Sequence, residues 1–248
     1  WLAASSMIED TKNILSKDFE NLSFDLSSWN QVLNISSDIS VFHLESTIEY
    51  YSAYFQGSNM SFMLYESNKP VAIVPLFVYQ EKDGWTITSN GSGLISPLFI
   101  DDVPRRLRKR LDQQILEVIN IIANKLEIRK IIIFEHSRIL SSWFLLWLDR
   151  ANKDFTTYQF AIDLQHTIED IRLGFRKSYK PLVNKALKEW RVEICEDNIE
   201  KAFEEFRKLH LAEAGKQTRS MSTWSIQKAQ IKNKEAFLVT ARDDMELF

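Results

Sequence analysis

The residues best suited to chemistry lie between Arg172 and Trp224. The segment FRKSYKPLVNKALKEW places Lys177, Lys180 and Asn184 three or four residues apart, and Asn184, Lys188 and Arg191 likewise. Pro181 has no N–H to lose, so it favours a helix start, and the spacing then gathers a basic face. Such a face, with Lys185 beside it, binds phosphate or carboxylate, or simply faces water opposite the acids that follow. The next segment, FRKLHLAEAGKQTRSMSTW, continues a helix through Phe203, Phe206, Leu209 and His210 to a stop near Gly215. A loop then presents Lys216, Thr218 and Arg219, good donors for an anionic group, unless it is an ordinary turn. Ser222 or Thr223 is the expected N-cap of the helix after it. Trp224 reads as packing that helix, with stacking on a substrate as the alternative.

Other reaction types lack their signatures. There is no H-E-x-x-H, C-x-x-C, P-loop or G-x-S-x-G pattern. His43, His136, His166 and His210 are scattered without ligand spacing, so no metal site is expected. NGSGLISP at 90–97 reads as a hairpin or loop, because a phosphate cradle needs a helix N-terminus directly behind it. Cys195 is the lone cysteine and cannot form an internal disulfide. The sequons at Asn21, Asn34, Asn59 and Asn90 read as chance.

These residues must be held by a larger frame. Residues 45–55 carry Ile48, Tyr51, Tyr54 and Phe55 at helical spacing, and Gly57 ends that helix. FMLYE and VAIVPLFVYQ read as two strands joined by a turn at 67–70, the second one central. TITSN is a third strand after the turn at 82–84. Residues 104–126 form the clearest helix, its stripe made of Leu107, Leu111, Ile115, Val118, Ile119 and Ile122. IIIF at 131–134 reads as a short buried strand and 141–151 as an apolar helix with Trp143, Leu146 and Trp147 inward. Beyond these come a strand at 158–164, helices at 167–178 and 181–190, and a strand at 191–195. Helices at 198–213 and 223–233 and a strand at 236–242 complete the order. Residues 11–35 carry no firm pattern. Charge reverses sharply: Arg172 to Arg191 holds seven basic residues and one acid, Glu193 to Glu205 six acids and one lysine. Strands and helices alternate twice, with a break near 155. This predicts two α/β units with mixed α+β sheets, a first domain over 1–155 and a second over 156–248.

The chain has 248 residues, 45% hydrophobic, 26% charged and 12% aromatic, with a net charge of -3. This composition excludes a disordered chain, a collagen and a disulfide-stapled miniature fold. The net charge argues against a polyanion binder by bulk charge. No basic n-region opens the chain, and the most lipid-like run, Ile139 to Leu148, is half a membrane span. A cytoplasmic protein with no transmembrane segment is the expectation. The chain begins at Trp1 and its final residues resume a strand pattern, so it reads as part of a longer reading frame.

The combination SYKPLVNKALKEWRVEI and FRKLHLAEAGKQTRSMSTWSIQKAQIKNKEAFLV resembles the FemAB-like branch of the GNAT acyltransferase superfamily. There a basic helix of the form R/K-x-x-[IV]-x-K-A-x-K and a V-x-I strand open the second domain. A helix-loop-helix with TRS, TW and Q then leads into a strand beginning AFLV. The VAIVPLFV strand, the SPL turn at 96–98 and the IDL strand also have counterparts, and the resemblance spans roughly residues 25–248. It implies tandem GNAT-like domains, the second truncated at its C-terminus. It implies transfer of an acyl or aminoacyl group to an amine of a cell-envelope sugar or peptide precursor, such as those of peptidoglycan or polysaccharide, free or lipid-linked. The co-substrate would be acyl-CoA or aminoacyl-tRNA, with no tightly bound cofactor. On this reading Lys177, Lys180, Asn184, Lys185, Lys216, Thr218, Arg219 and Trp224 bind substrate, and Tyr179 and His210 handle the proton. A neutral amine attacks an ester or thioester carbonyl, so the enzyme orients, stabilises the oxyanion and accepts a proton without a covalent intermediate. The family's pyrophosphate loop, Q/R-x-x-G-x-G/A, has no match here, so this chain by itself is expected to be inactive. The rival expectation is a non-catalytic module that binds tRNA or an anionic polysaccharide precursor.

Overall fold

The computed structural model describes residues 2–135, 140–151 and 162–243. The described residues form a mixed α and β structure and fall into two units. The first gathers the chain up to residue 151 together with 219–226, and the second gathers 162–218 with 227–243.

In chain order the first unit runs α1 (Leu2–Asp18), β1 (Leu22–Ser23), α2 (Trp29–Asn34), a 3-10 turn (Val41–His43) and α3 (Glu45–Phe55). Then come β2 (Ser58–Asn59), β3 (Phe62–Glu66), β4 (Lys69–Val74), β5 (Phe77–Glu81), β6 (Gly84–Thr88), β7 (Leu98–Phe99), α4 (Arg105–Lys125) and α5 (Ser142–Leu148). One antiparallel sheet has the order β1-β3-β4-β7 and a second the order β2-β5-β6. The first sheet separates two apolar layers, because side chains alternate along a strand. Phe62, Leu64, Ala72 and Val74 join the cluster that holds Leu111, Ile115, Val118, Ile119 and Ile122 of α4. Met63 and Ile73 point the other way and pack with Trp29, Val32 and Ile48 of α2 and α3. Each of these buried Leu, Ile and Val side chains contributes about 1.5–3 kcal/mol relative to exposure.

Pro75 divides what the apolar run 71–80 suggests is one strand. A residue without an N–H cannot serve inside a ladder, so the run becomes β4 and β5 in different sheets. The freed backbone at Leu76 is satisfied by Ser61, whose Oγ accepts from the Leu76 N–H at 2.9 Å and donates to its carbonyl at 3.0 Å. The turn between β3 and β4 has Ser67 and Asn68 at φ 50° and 64°, the paired left-handed conformation that matches hairpin twist. One stretch without a firm pattern gains a helix, and two further expectations are corrected. Residues 2–18 are helical, so the polar stretch from residue 11 hides half of α1, anchored by buried Ile8 and Leu15. IIIF is no strand: Ile133 makes an isolated parallel bridge to Leu94, whose N–H goes to the Ile132 carbonyl and whose carbonyl accepts from the Phe134 N–H. The helix expected over 141–151 stops at Leu148, with Trp143 buried and Leu146 and Trp147 partly so.

The second unit contains α6 (Ile168–Leu173), α7 (Tyr179–Glu189), β8 (Trp190–Ile194), α8 (Ile199–Ala214) and β9 (Val239–Asp243). It also holds residues 227–232 of α9 (Met221–Lys232). β8 and β9 pair antiparallel from Trp190 opposite Asp243 to Ile194 opposite Val239. The helix expected over 167–178 ends at Leu173, since Gly174 weakens propagation and α7 restarts at Tyr179. The strand expected at 158–164 lies outside the described residues up to 161, and Ile162 to Leu164 form no strand. Gly215 closes α8 at φ 63°, as its place in the sequence predicts. Among the described residues no helix is long and apolar enough to cross a membrane.

Candidate functional site

The first unit concentrates aromatic chemistry around one cation. Helix α3 spaces Tyr50, Tyr51, Tyr54 and Phe55 so that i,i+4 rings stack, Tyr50 on Tyr54 at 6.2 Å and Tyr51 on Phe55 at 6.5 Å between centroids. From β5, Phe77 lies parallel to Tyr51 at 6.4 Å, and Tyr79 meets Phe55 at 4.5 Å. Arg219 and Trp224 belong to this same unit. The Arg219 guanidinium lies over the Trp224 ring, 4.7 Å from its centroid. Trp224 is 5% exposed, so it packs, as its sequence position suggests, and also seats a cation.

Arg219 acts on the phenols. Burial raises Tyr50 and Tyr51 above their ordinary 10.0, and the nearby guanidinium pulls both back part of the way. Both are therefore neutral at pH 7 and serve as O–H donors next to a positive charge. A carboxylate or phosphate placed there meets a charge-assisted donor and neutral phenols together. Ser220, next in the chain, accepts from the Thr223 N–H at 3.2 Å. It is the N-cap of α9, correcting the expectation of Ser222 or Thr223: its side chain reaches the third amide of the helix, which a residue inside the first turn cannot do.

The loop 89–95 closes against the aromatic cluster. Gly91 has φ +80°, and a Cβ there would meet Phe55 at 2.6 Å, so both conformation and space require glycine. Its neighbours' donors are already used. The Asn90 side chain accepts from the Ser92 and Gly93 N–H groups at 3.0 and 3.1 Å, and the Leu94 N–H goes to the Ile132 carbonyl at 2.7 Å. Amides already given to the Asn90 side chain and to the Ile132 carbonyl support the neighbouring structure and do not cradle phosphate.

The second unit holds the remaining sequence candidates. His210 Nε2 and Thr218 Oγ1 are 2.7 Å apart, so the structure brings these two together. Tyr179 is 55% exposed at the start of α7, and its hydroxyl has no partner among the described residues. No hydrogen bond joins it to His210. Asn184 accepts from Arg172, which fixes it on the surface of α7. Lys185 and Glu189 form an exposed pair at 3.8 Å, so this lysine is partly neutralised within its own helix. Lys177, Lys180 and Lys216 have no side-chain partner among the described residues and present free charge.

His43 is buried but has a structural part. Its Nε2 lies 3.0 Å from the Ser96 carbonyl and its Nδ1 3.1 Å from the Ser40 N–H, which assigns the proton to Nε2. His166 pairs loosely with Asp163 at 4.0 Å, and His136 lies outside the described residues. Among the described residues no three His, Cys, Asp or Glu side chains group as metal ligands. Sequence reasoning missed Tyr50, Tyr51, Phe77 and Tyr79 as a site. The signal was the density of tyrosine in EYYSAYF, which fits an apolar helix stripe equally well.

Comparison with known proteins brings no relative: no family model, no curated protein and no solved structure matches the chain.

Proposed function

We propose that the protein is an N-acyltransferase of FemAB/GNAT type with tandem GNAT-like domains. It would move an acyl or aminoacyl group from acyl-CoA or aminoacyl-tRNA to an amine of a cell-envelope sugar or peptide precursor. The amine nitrogen attacks the carbonyl carbon, a C–N bond forms, and the C–S or C–O bond breaks. The thiol or hydroxyl leaves with the proton that the amine gives up. The observation that carries the reading is the Arg219 cation held over Trp224 beside two neutral phenols. Both candidate donors bear phosphates, and a fixed guanidinium is the side chain that recognises them best. The motif resemblance of residues 178–194 and 206–239 supports it further. Within the second unit by itself, His210, held by Thr218, is the residue that the resemblance makes a candidate for proton handling.

Calorimetric titration of coenzyme A and of aminoacyl-tRNA into the whole chain tests this. Binding of either is expected, and Arg219→Ala should weaken it about tenfold or more, the loss of one charged hydrogen bond. In the unliganded protein the same substitution removes the charge that lowers Tyr50 and Tyr51, so both should titrate at higher pH in an ultraviolet titration. If neither ligand binds at millimolar concentration, the acyltransferase reading fails.

A second reading rests on the exposed lysines. Lys177, Lys180 and Lys216 would suit a non-catalytic module for tRNA or an anionic polysaccharide precursor. Affinity that falls steeply with salt and survives Arg219→Ala would favour it.

A further inference from the structure

We propose that the outer edge of β8 pairs with β8 of a second copy of this chain, giving a two-fold dimer through a four-stranded β9–β8–β8–β9 sheet. The ladder fixes which backbone groups face outward. The Cys195 N–H donates to the Leu238 carbonyl at 2.8 Å, so residues 191, 193 and 195 turn their amides toward β9. The alternate residues 190, 192 and 194 turn theirs away. The Trp190 N–H is taken by the Ala186 carbonyl of α7. The Val192 and Ile194 N–H groups have no acceptor among the described residues.

An unpaired edge that is also apolar invites another strand. Trp190, Val192 and Ile194 are 53%, 52% and 58% exposed, and Val239 on the same face is 46% exposed. The edge carries neither a proline nor a lysine, the usual protections.

The charge pattern selects a second copy as the occupant. WRVEI has the same chemistry read outward from Val192 in both directions, except that base on one side becomes acid on the other. Paired antiparallel about Val192, each Arg191 faces the partner's Glu193, and each Trp190 faces the partner's Ile194. The outward N–H of each Val192 then donates to the Val192 carbonyl of the other copy, a reciprocal pair of bonds as a two-fold isologous contact requires. Centring the pair on Arg191 or Glu193 would keep the same amides at the seam but set like charges opposite each other. In the single chain Arg191 and Glu193 meet along one strand at 3.0 Å, 75% and 42% exposed, so the dimer exchanges partners for them. Register comes from the charges, and affinity from the ladder and the buried apolar face.

Sedimentation velocity of the whole chain over a range of concentrations should show a monomer–dimer equilibrium with a micromolar dissociation constant. Val192→Pro deletes the outward N–H without touching the β8–β9 ladder and should give a monomer. Arg191→Glu or Glu193→Arg alone should raise the dissociation constant about tenfold by opposing like charges twice across the seam. The double variant should restore dimerisation, and that rescue holds even if the proline variant fails to fold. A wild-type monomer at every concentration overturns the proposal. Slow exchange of the Val192 and Ile194 amides in that monomer would assign the edge to another segment of the same chain. A dimer indifferent to both charge changes and the proline would also overturn it.

Discussion

Asp112 is a charge taken out of water by α4. It is 2% exposed, its Oδ2 accepts from Ser142 Oγ at 2.7 Å, and its Oδ1 has no partner among the described residues. Burial raises its carboxyl above the ordinary 3.8, while the Ser142 bond and the Arg108 charge lower it in part. Between 3.8 and the raised value the folded chain holds more protons than the unfolded one, so stability falls as pH rises through that window. Asp112→Asn keeps an acceptor for Ser142 and removes the buried charge. It should raise stability by about 1 kcal/mol at pH 7, with the gain shrinking as pH falls toward 4. A lower melting temperature for this variant at pH 7 would show that the carboxylate is stabilised by its surroundings. At this scale the sequence was partly legible. Arg219 and Trp224 stood out because a loop cation and a large ring have few roles. Asp112 did not, because one acid inside a polar-looking helix turn carries no mark of its burial.

At the scale of elements, the strongest patterns were the most readable. The stripe of α4 and the tyrosines of α3 follow 3.6-residue spacing, and both helices stand where that spacing puts them. The apolar run 71–80 misled because hydrophobicity says strand while Pro75 forbids a continuous ladder, and the local prohibition wins. The α9 N-terminus was legible to within three residues, since Ser220, Ser222 and Thr223 are all cap formers. Its cap is testable. Ser220→Ala removes the acceptor of the Thr223 N–H and should destabilise the first unit by about 1 kcal/mol, measured by denaturant unfolding. Ser222→Ala should have no such effect, and equal losses from the two would remove Ser220 from that position.

For the whole molecule, the two units differ in what holds them. The first has the extended cores on both faces of its four-stranded sheet. In the second, the buried apolar side chains among the described residues are Ala202, Phe203, Ile231 and Leu238, and many large apolar groups from Ile162 to Val239 face outward. Surface pairs such as Glu200 with Lys228 and Lys232, which hold that carboxyl down to about 2, add little in water. Native-state hydrogen exchange should therefore show α7, α8 and β8 opening at a lower free energy than β3, β4 and α4. Equal protection would mean that the chain opens as one cooperative body. The sequence suggests two units through its alternation of elements and a break near 155. It could not place 219–226 with the first, because packing between distant segments leaves no periodic trace.

The stacking of Arg219 on Trp224 has an optical consequence. A cation fixed over an indole shifts and quenches its emission, and a phosphate or carboxylate that engages the guanidinium must disturb that arrangement. Trp224 is one of seven tryptophans. The difference spectrum between the protein and its Trp224→Phe variant would isolate its signal, making the chain its own indicator of anion occupancy without any attached dye.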